Sequence, residues 1–270
     1  MGFDLWKREF LHVWRASRTT VILHHAVASI PIFLVLVLLK LSPLAGVLVL
    51  LPLCFGAVIW WAHVQVAAYM LAGGVAEESV GVRGPLELMK GRWGAVFLGY
   101  LLYVALYMVG STFVLPGLAI AVVLAPYLLF IVLEKQGPVE ALETNVRLAG
   151  PHLGGLALFW LALFGVMLVG TMVVGLLAGG LIVMAAAMES EMVVPLLIGV
   201  AAFGLLIMML VSMSVHVAAA VASYRVLRGE TLDAAAGAGS GGEAWAAGIE
   251  SPAVPGAPEA GPGQDTPTSW

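Results

Sequence analysis

Two histidines lie deep within long apolar stretches of the sequence, where an ionisable side chain is rare and costly. His63 and His216 each lie eight residues before the expected end of a membrane-spanning helix, a depth of about 12 Å at the helical rise. Two facing imidazoles could relay a proton or hold a metal ion. Neutral imidazoles can instead form structural hydrogen bonds across a helical bundle, for which Gln65, Ser212 and Ser214 are candidate partners. We favour this structural role and predict an intramembrane polar site of His63, Gln65 and His216.

Other chemistry finds little support in the sequence. It contains no nucleophile elbow, no His-Glu-x-x-His, no Walker loop and no dinucleotide fingerprint. Cys54 is the only cysteine, which excludes an internal disulfide and a thiolate metal cluster. No carboxylate lies at the depth of the two histidines to complete a set of metal ligands. We therefore predict a protein that is not an enzyme, with no catalytic residue, no metal and no cofactor.

The composition is that of an integral membrane protein. Hydrophobic residues make up 61% of the chain and charged residues 10%, against about 45–50% and about 25% in soluble domains. A bilayer core of ~30 Å is crossed by about 20 apolar residues in a helix. Six stretches meet that length, and we predict an all-α bundle of six membrane helices in three hairpins. The stretches are Val21–Leu39, Leu44–Leu71, Ala95–Phe113, Gly117–Leu133, Leu153–Val174 and Val193–Tyr224.

The basic residues predict how this bundle is oriented. All but one of the 12 Lys and Arg residues lie in segments that share one side when six spans alternate across a bilayer. Only Lys40 lies on the other side. Because cytoplasmic loops carry the excess of Lys and Arg, we expect a plasma (bacterial inner) membrane protein with both termini in the cytoplasm. The basic residues lie in the segments that flank the predicted spans, where they can contact lipid headgroups. We therefore expect the lipid bilayer, and no nucleic acid, as a partner.

Three segments beside the membrane are expected to form amphipathic surface helices. The first lies at the membrane interface with its Trp ring among the lipid headgroups, and its apolar face consists of Phe3, Trp6, Phe10 and Val13. The second and third begin with Gly84-Pro85 and Gly137-Pro138, because proline suits the first position of a helix. The apolar face of the third consists of Val139, Leu142, Val146 and Ala149.

These features divide the chain into three parts. Residues 1–20 are predicted to be a cytoplasmic amphipathic interfacial helix, and residues 21–228 a six-helix transmembrane domain. Residues 229–270 are acidic and rich in Ala, Gly and Pro. Such a composition cannot bury enough apolar surface to order itself, so we predict a disordered cytoplasmic tail.

The stretch from Val132 to Gly150 resembles the signature of the glycerophosphoryl diester phosphodiesterase membrane-domain family and related uncharacterised bacterial six-helix membrane proteins. The matching residues are Glu134, Gly137, Glu140, Ala141, Leu142, Leu148 and Gly150. Asn145 stands where a serine is usual, which leaves no hydroxyl at that point. The resemblance implies a membrane module over residues 1–228 and no phosphodiesterase activity, since in such hydrolases the chemistry belongs to a separate soluble barrel. Glu134 is expected to pair with Arg147 or Arg225.

Taken together, these observations favour a non-catalytic scaffold or a component that maintains the membrane or cell envelope. The alternative is a small transporter or channel that uses His63 and His216 in the bundle. A homo-oligomer or an unidentified membrane protein is a further candidate partner, because Gly175 and Gly179 form a pair of small residues that lets helices approach closely.

Overall fold

A computed structural model describes residues 2–41, 43–73, 80–188 and 193–231. Every regular element in these ranges is helical, as the apolar patterning predicts. The α-helices are α1 (Phe3–Leu41), α2 (Pro43–Ala72), α3 (Arg83–Met89), α4 (Trp93–Ser111), α5 (Val114–Val123), α6 (Tyr127–Leu133), α7 (Pro138–Ala149), α8 (Leu153–Ala187) and α9 (Val193–Arg228). A 3-10 turn, Gly150–His152, joins α7 to α8.

Five segments within the described residues are long and apolar enough to cross a membrane. They are Pro52–Ala72, Trp93–Ser111, Pro116–Leu133, Pro138–Ala187 and Val193–Arg228. An all-helical protein with several such segments is a membrane protein by length and composition. The first expected span, Val21–Leu39, lies inside α1 and is not among these five, so a total of six spans stays a prediction.

Prolines mark where several helices begin. Each stands in the first turn, where a missing N–H costs nothing because the first four N–H groups of a helix lack an intrahelical acceptor. The prolines in such positions are Pro43, Pro85, Pro116, Pro138 and Pro195. Pro138 occupies the first position as predicted, whereas Pro85 occupies the third because α3 begins at Arg83. Pro116 lies at the third position of α5, which begins at Val114.

Helix α1 runs through the expected boundary at residue 20 without a break and is 39 residues long. Its buried side chains recur every three or four residues, the period of a single helical face; these are Trp6, Glu9, Val13, Ser17 and Val21. The apolar face predicted to contact lipid headgroups therefore contacts protein at Trp6 and Val13. Trp6 stacks on Phe159 of α8, with ring centroids 5.9 Å apart.

The second half of α9 forms the centre of the bundle. Ala218, Ala219, Ala220, Val221 and Ala222 are fully buried, and α1, α2 and α8 all pack against this helix. Small side chains allow such close approach of several helices. Two pairs of helices that follow each other in the chain, α1 with α2 and α4 with α5, are also in contact.

A backbone cap ends α9. Gly229 has a φ of +73°, which a residue without Cβ adopts easily. The N–H of Glu230 donates to the carbonyl of Arg225 at 2.8 Å, and the N–H of Gly229 donates to Val226, which is the Schellman arrangement. Residues 229–231 of the predicted tail thus lie against the helix end, and the rest of that tail lies outside the described residues.

Candidate functional site

The two intramembrane histidines lie in different aromatic stacks. His63 is fully buried, with its ring centroid 5.3 Å from that of His24 and 5.1 Å from that of Trp60. His216 contacts Trp61 and Trp160, at 5.7 and 5.1 Å. No ring contact between His63 and His216 occurs among the described residues. The structure therefore places His63 beside a histidine of α1.

Hydrogen bonds do not hold His63 in place. Neither of its ring nitrogens has a partner within the described ranges, and the Oε1 atom of Gln65 also lacks one. Ser214, proposed as a partner, donates instead to the carbonyl of Val211 on its own helix at 2.9 Å. Buried polar atoms without partners are uncommon and call for an explanation. Around His63 the structure shows ring contacts with His24 and Trp60 in place of hydrogen bonds.

Gln65 and His216 share a cleft of about 480 Å³ between α2, α4, α9 and the break between α5 and α6. Four aromatic rings line it, contributed by Trp61, Tyr100, Tyr103 and Tyr127. Sequence reasoning missed the three tyrosines. Tyr100 and Tyr103 give a usable signal, since they lie three residues apart on an apolar helix, whereas Tyr127 is placed by the helix break.

A second cleft, of about 340 Å³, lies on the other side of Trp61. It is lined by His25 and Trp60 together with apolar side chains of α1, α2 and α9. The Nε2 atom of His25 and the Nε1 atom of Trp60 are buried and have no hydrogen-bond partner in the described part of the chain. The region around Trp61 thus gathers neutral polar groups from several helices within an apolar surrounding.

Charged residues meet at the end of the bundle where α6 and α9 finish. Glu9 and Arg225 form a buried ion pair of 2.5 Å between α1 and α9. Arg228 pairs with Glu134 at 3.1 Å, and the Tyr224 hydroxyl donates to the same carboxylate at 3.3 Å. The expected partners of Glu134 were Arg147 and Arg225, so the prediction of an ion pair holds with a different arginine. We refer to these five residues as the polar end cluster.

Burial raises the pKa of the Glu134 carboxyl above its ordinary value. The positive charge of Arg228 and the hydrogen bond from Tyr224 oppose this effect. The side-chain amide of Gln136 also donates to Glu134, at 3.2 Å. Glu134 therefore acts as the acceptor that joins α9 to the segment between α6 and α7.

Other residues of the stretch from Val132 to Gly150 lie at the two ends of α7. Glu140 accepts a hydrogen bond of 3.2 Å from the N–H of Gly137, which satisfies one donor ahead of the helix as in a capping box. Gly150 ends α7 and begins the 3-10 turn. A Cβ at Gly137 or Gly150 would meet no atom within 4 Å, so crowding does not require glycine at either position.

Asn145 forms a hydrogen bond to the backbone at the break between α5 and α6. The break at Leu124–Pro126 turns the N–H of Tyr127 towards Leu124, so the carbonyl of Val123 loses its usual helical donor. The fully buried Asn145 amide donates to that carbonyl at 2.8 Å. A serine, usual at this position in the family that the motif resembles, is shorter than the side chain that makes this contact.

Replacing Asn145 with leucine is expected to lower the free energy of unfolding by about 1–3 kcal/mol, because a buried carbonyl acceptor loses its donor while the branching of the side chain is kept. The measurement is reversible unfolding in mixed micelles. Val146→Ala, at the exposed neighbouring position, is the control, with an expected change within about 0.5 kcal/mol. Equal losses for the two variants would contradict the role given to Asn145.

Comparison with models of known protein families, with curated proteins and with solved structures finds no match for this chain. In the part of the chain that the structure describes, no group of three or more His, Cys, Asp or Glu side chains is placed to hold a metal ion. The functional argument therefore depends on the clefts, the polar end cluster and the membrane-spanning helices themselves.

Proposed function

We propose that the chain is a non-catalytic scaffold, or a component that maintains the envelope, in the plasma (bacterial inner) membrane. The observation that carries the proposal is the polar end cluster. It joins the first helix to the last through Glu9 and Arg225, and ties the α6–α7 segment to the last helix through Glu134. Such ties support a fixed arrangement of helices, as a structural component requires. The resemblance to a phosphodiesterase membrane domain points the same way.

The proposed arrangement is six membrane helices in three hairpins, with both termini in the cytoplasm. Contacts between α1 and α2, between α4 and α5, and between α8 and α9 support the hairpins. The distribution of Lys and Arg supports the orientation. The bilayer is the proposed surrounding, and a homo-oligomer or an unidentified membrane protein remains a proposed partner of the exposed apolar surface of α8.

Cysteine labelling in spheroplasts tests the orientation. Starting from Cys54→Ser, single cysteines are introduced as Lys90→Cys, Arg147→Cys and Thr112→Cys, all at exposed positions. We expect a membrane-impermeant maleimide to label only Thr112→Cys before permeabilisation and all three afterwards. The reason is that the segments with Lys90 and Arg147 lie on the cytoplasmic side. Labelling of Lys90→Cys and Arg147→Cys from opposite sides would disprove the topology.

Purified protein in vesicles tests the absence of catalysis. With glycerophosphocholine or phosphatidylglycerol as substrate, product release should equal that of protein-free vesicles. Saturable turnover of either compound would overturn the non-catalytic proposal.

A small transporter or channel is the second candidate. The cleft that contains Gln65 and His216 beside an interrupted helix favours it, since broken helices at membrane depth commonly line binding sites in transporters. The test compares ion flux in proteoliposomes of the parent, His63→Ala and His216→Ala. Flux of the parent equal to that of empty vesicles would remove this candidate.

A further inference from the structure

We propose that the 480 Å³ cleft binds a neutral, lipid-soluble aromatic ring that carries a hydroxyl group, such as the head of a hydroquinone. The site is formed by α2, α4, α9 and the α5–α6 break. The inference goes beyond the scaffold proposal and does not depend on it, because a non-catalytic membrane protein can hold such a ligand with or without moving it.

Gln65 supplies the polar contact. Its side chain is only 1% exposed, and its Oε1 atom has no hydrogen-bond partner within the described residues. A buried acceptor without a donor is costly, and this one lines a space large enough for a ligand. An O–H donor in the cleft would satisfy it. A hydroxyl fits this requirement, whereas a quinone or an ether offers only acceptors.

Aromatic walls select a flat ring. Trp61, Tyr100, Tyr103 and Tyr127 line the cleft, and aromatic pairs prefer stacked or edge-to-face arrangements that an alkyl chain cannot make. The Tyr127 hydroxyl is already committed, since it donates to the carbonyl of Pro138 at 2.6 Å. Its ring remains available as a wall. The volume is within the range of about 300–1,000 Å³ typical of small-molecule sites.

The lining of the cleft favours a neutral ligand. None of the described residues that line the cleft is Asp, Glu, Lys or Arg, and an ion at this depth would lack a partner in a medium of low dielectric constant. His216 supplies a second hydrogen-bonding side chain. Cys54 also lines the cleft and is exposed, so the cleft opens at the surface of the bundle, where an alkyl tail can leave into lipid.

The experiment measures binding by calorimetry, without oxygen, to the full chain in phosphatidylcholine nanodiscs. The probes are decylubiquinol and its dimethyl ether, which share ring and tail but differ in the two hydroxyl donors. We expect the ether to bind about 10-fold more weakly, the factor that one lost hydrogen bond produces. This comparison uses the unaltered protein, so it does not depend on the folding of any variant.

Variants locate the contact. Gln65→Leu is expected to weaken decylubiquinol binding by about 10-fold and to leave the ether unchanged. Ser214→Ala is the matched control, because Ser214 is buried in α9 and donates to the carbonyl of Val211 on its own helix. This variant should bind both probes as the parent does. Equal affinity of the parent for the two probes, unchanged binding by Gln65→Leu, or competition by decanol at the concentration of the quinol would each overturn the proposal.

Discussion

Replacing Arg225 with methionine is expected to lower the free energy of unfolding by about 3–5 kcal/mol, the usual cost of breaking a buried ion pair by removing one partner. Glu9 is 1% exposed and lies 2.5 Å from the guanidinium of Arg225. Methionine keeps much of the side-chain volume, so packing changes little. What changes is that the positive charge 2.5 Å from the Glu9 carboxylate is removed. The measurement is reversible unfolding of the purified protein in mixed micelles.

Two comparisons isolate the ion pair. Arg228→Met removes a cation from the same helix end, but its pair with Glu134 is 41% and 16% exposed, so the loss should stay within about 1 kcal/mol. Glu9→Leu combined with Arg225→Met removes both charges and should recover most of the stability, because apolar replacements of buried pairs are often neutral. If Arg225→Met and Arg228→Met destabilise equally, burial is not the source of the effect.

Apolar length and proline positions predicted much of the architecture. The regular elements in the described ranges are all helices, and the interruption of the fourth apolar stretch falls at Pro126. These features follow from local chemistry, since a long apolar stretch must satisfy its backbone internally and proline lacks an N–H. Both properties can be read from one segment of sequence without knowledge of its neighbours.

The face that each surface helix buries could not be predicted in the same way. Periodicity identified apolar faces on α1 and α7, but it does not say what covers them. On α7, Val139 and Val146 are 71% and 50% exposed, whereas Thr144 and Asn145 are buried. Ala149 of the predicted face is fully buried, so the prediction holds at that residue. The break between α5 and α6 explains the burial of Asn145, because it creates a carbonyl that needs the Asn145 amide. This carbonyl belongs to another segment, so the sequence pattern of α7 does not indicate that Asn145 is buried.

For the candidate site, too, the sequence predicted what depends on one segment and not what depends on packing between segments. Depth along the apolar stretches selected His63, Gln65 and His216, and the structure places Gln65 and His216 in one cleft. It places His63 apart from them, against His24 and Trp60. Depth is a coordinate along a helix, while the pairing of side chains depends on helix rotation. Rotation is set by packing against several other helices at once.

Trp6→Ala is expected to lower the free energy of unfolding by about 3–5 kcal/mol, the usual cost of truncating a buried tryptophan. Trp6 is fully buried, and its ring stacks on Phe159. Trp6→Phe should cost much less, because phenylalanine keeps an aromatic contact. It also removes a buried Nε1–H group for which the described residues offer no hydrogen-bond partner. Unfolding followed by circular dichroism in mixed micelles measures both changes.

The same variants decide what the N-terminal segment does. A tryptophan in the headgroup region contributes to membrane contact, so truncating it would leave the stability of the bundle nearly unchanged. A tryptophan packed between α1 and α8 contributes to the folded bundle itself. Leu23→Ala is the matched control on α1, because Leu23 is an exposed apolar residue and its loss should stay within about 0.5 kcal/mol. If Trp6→Ala is as mild as Leu23→Ala, the first turns of α1 belong to the membrane interface, as their sequence pattern predicted.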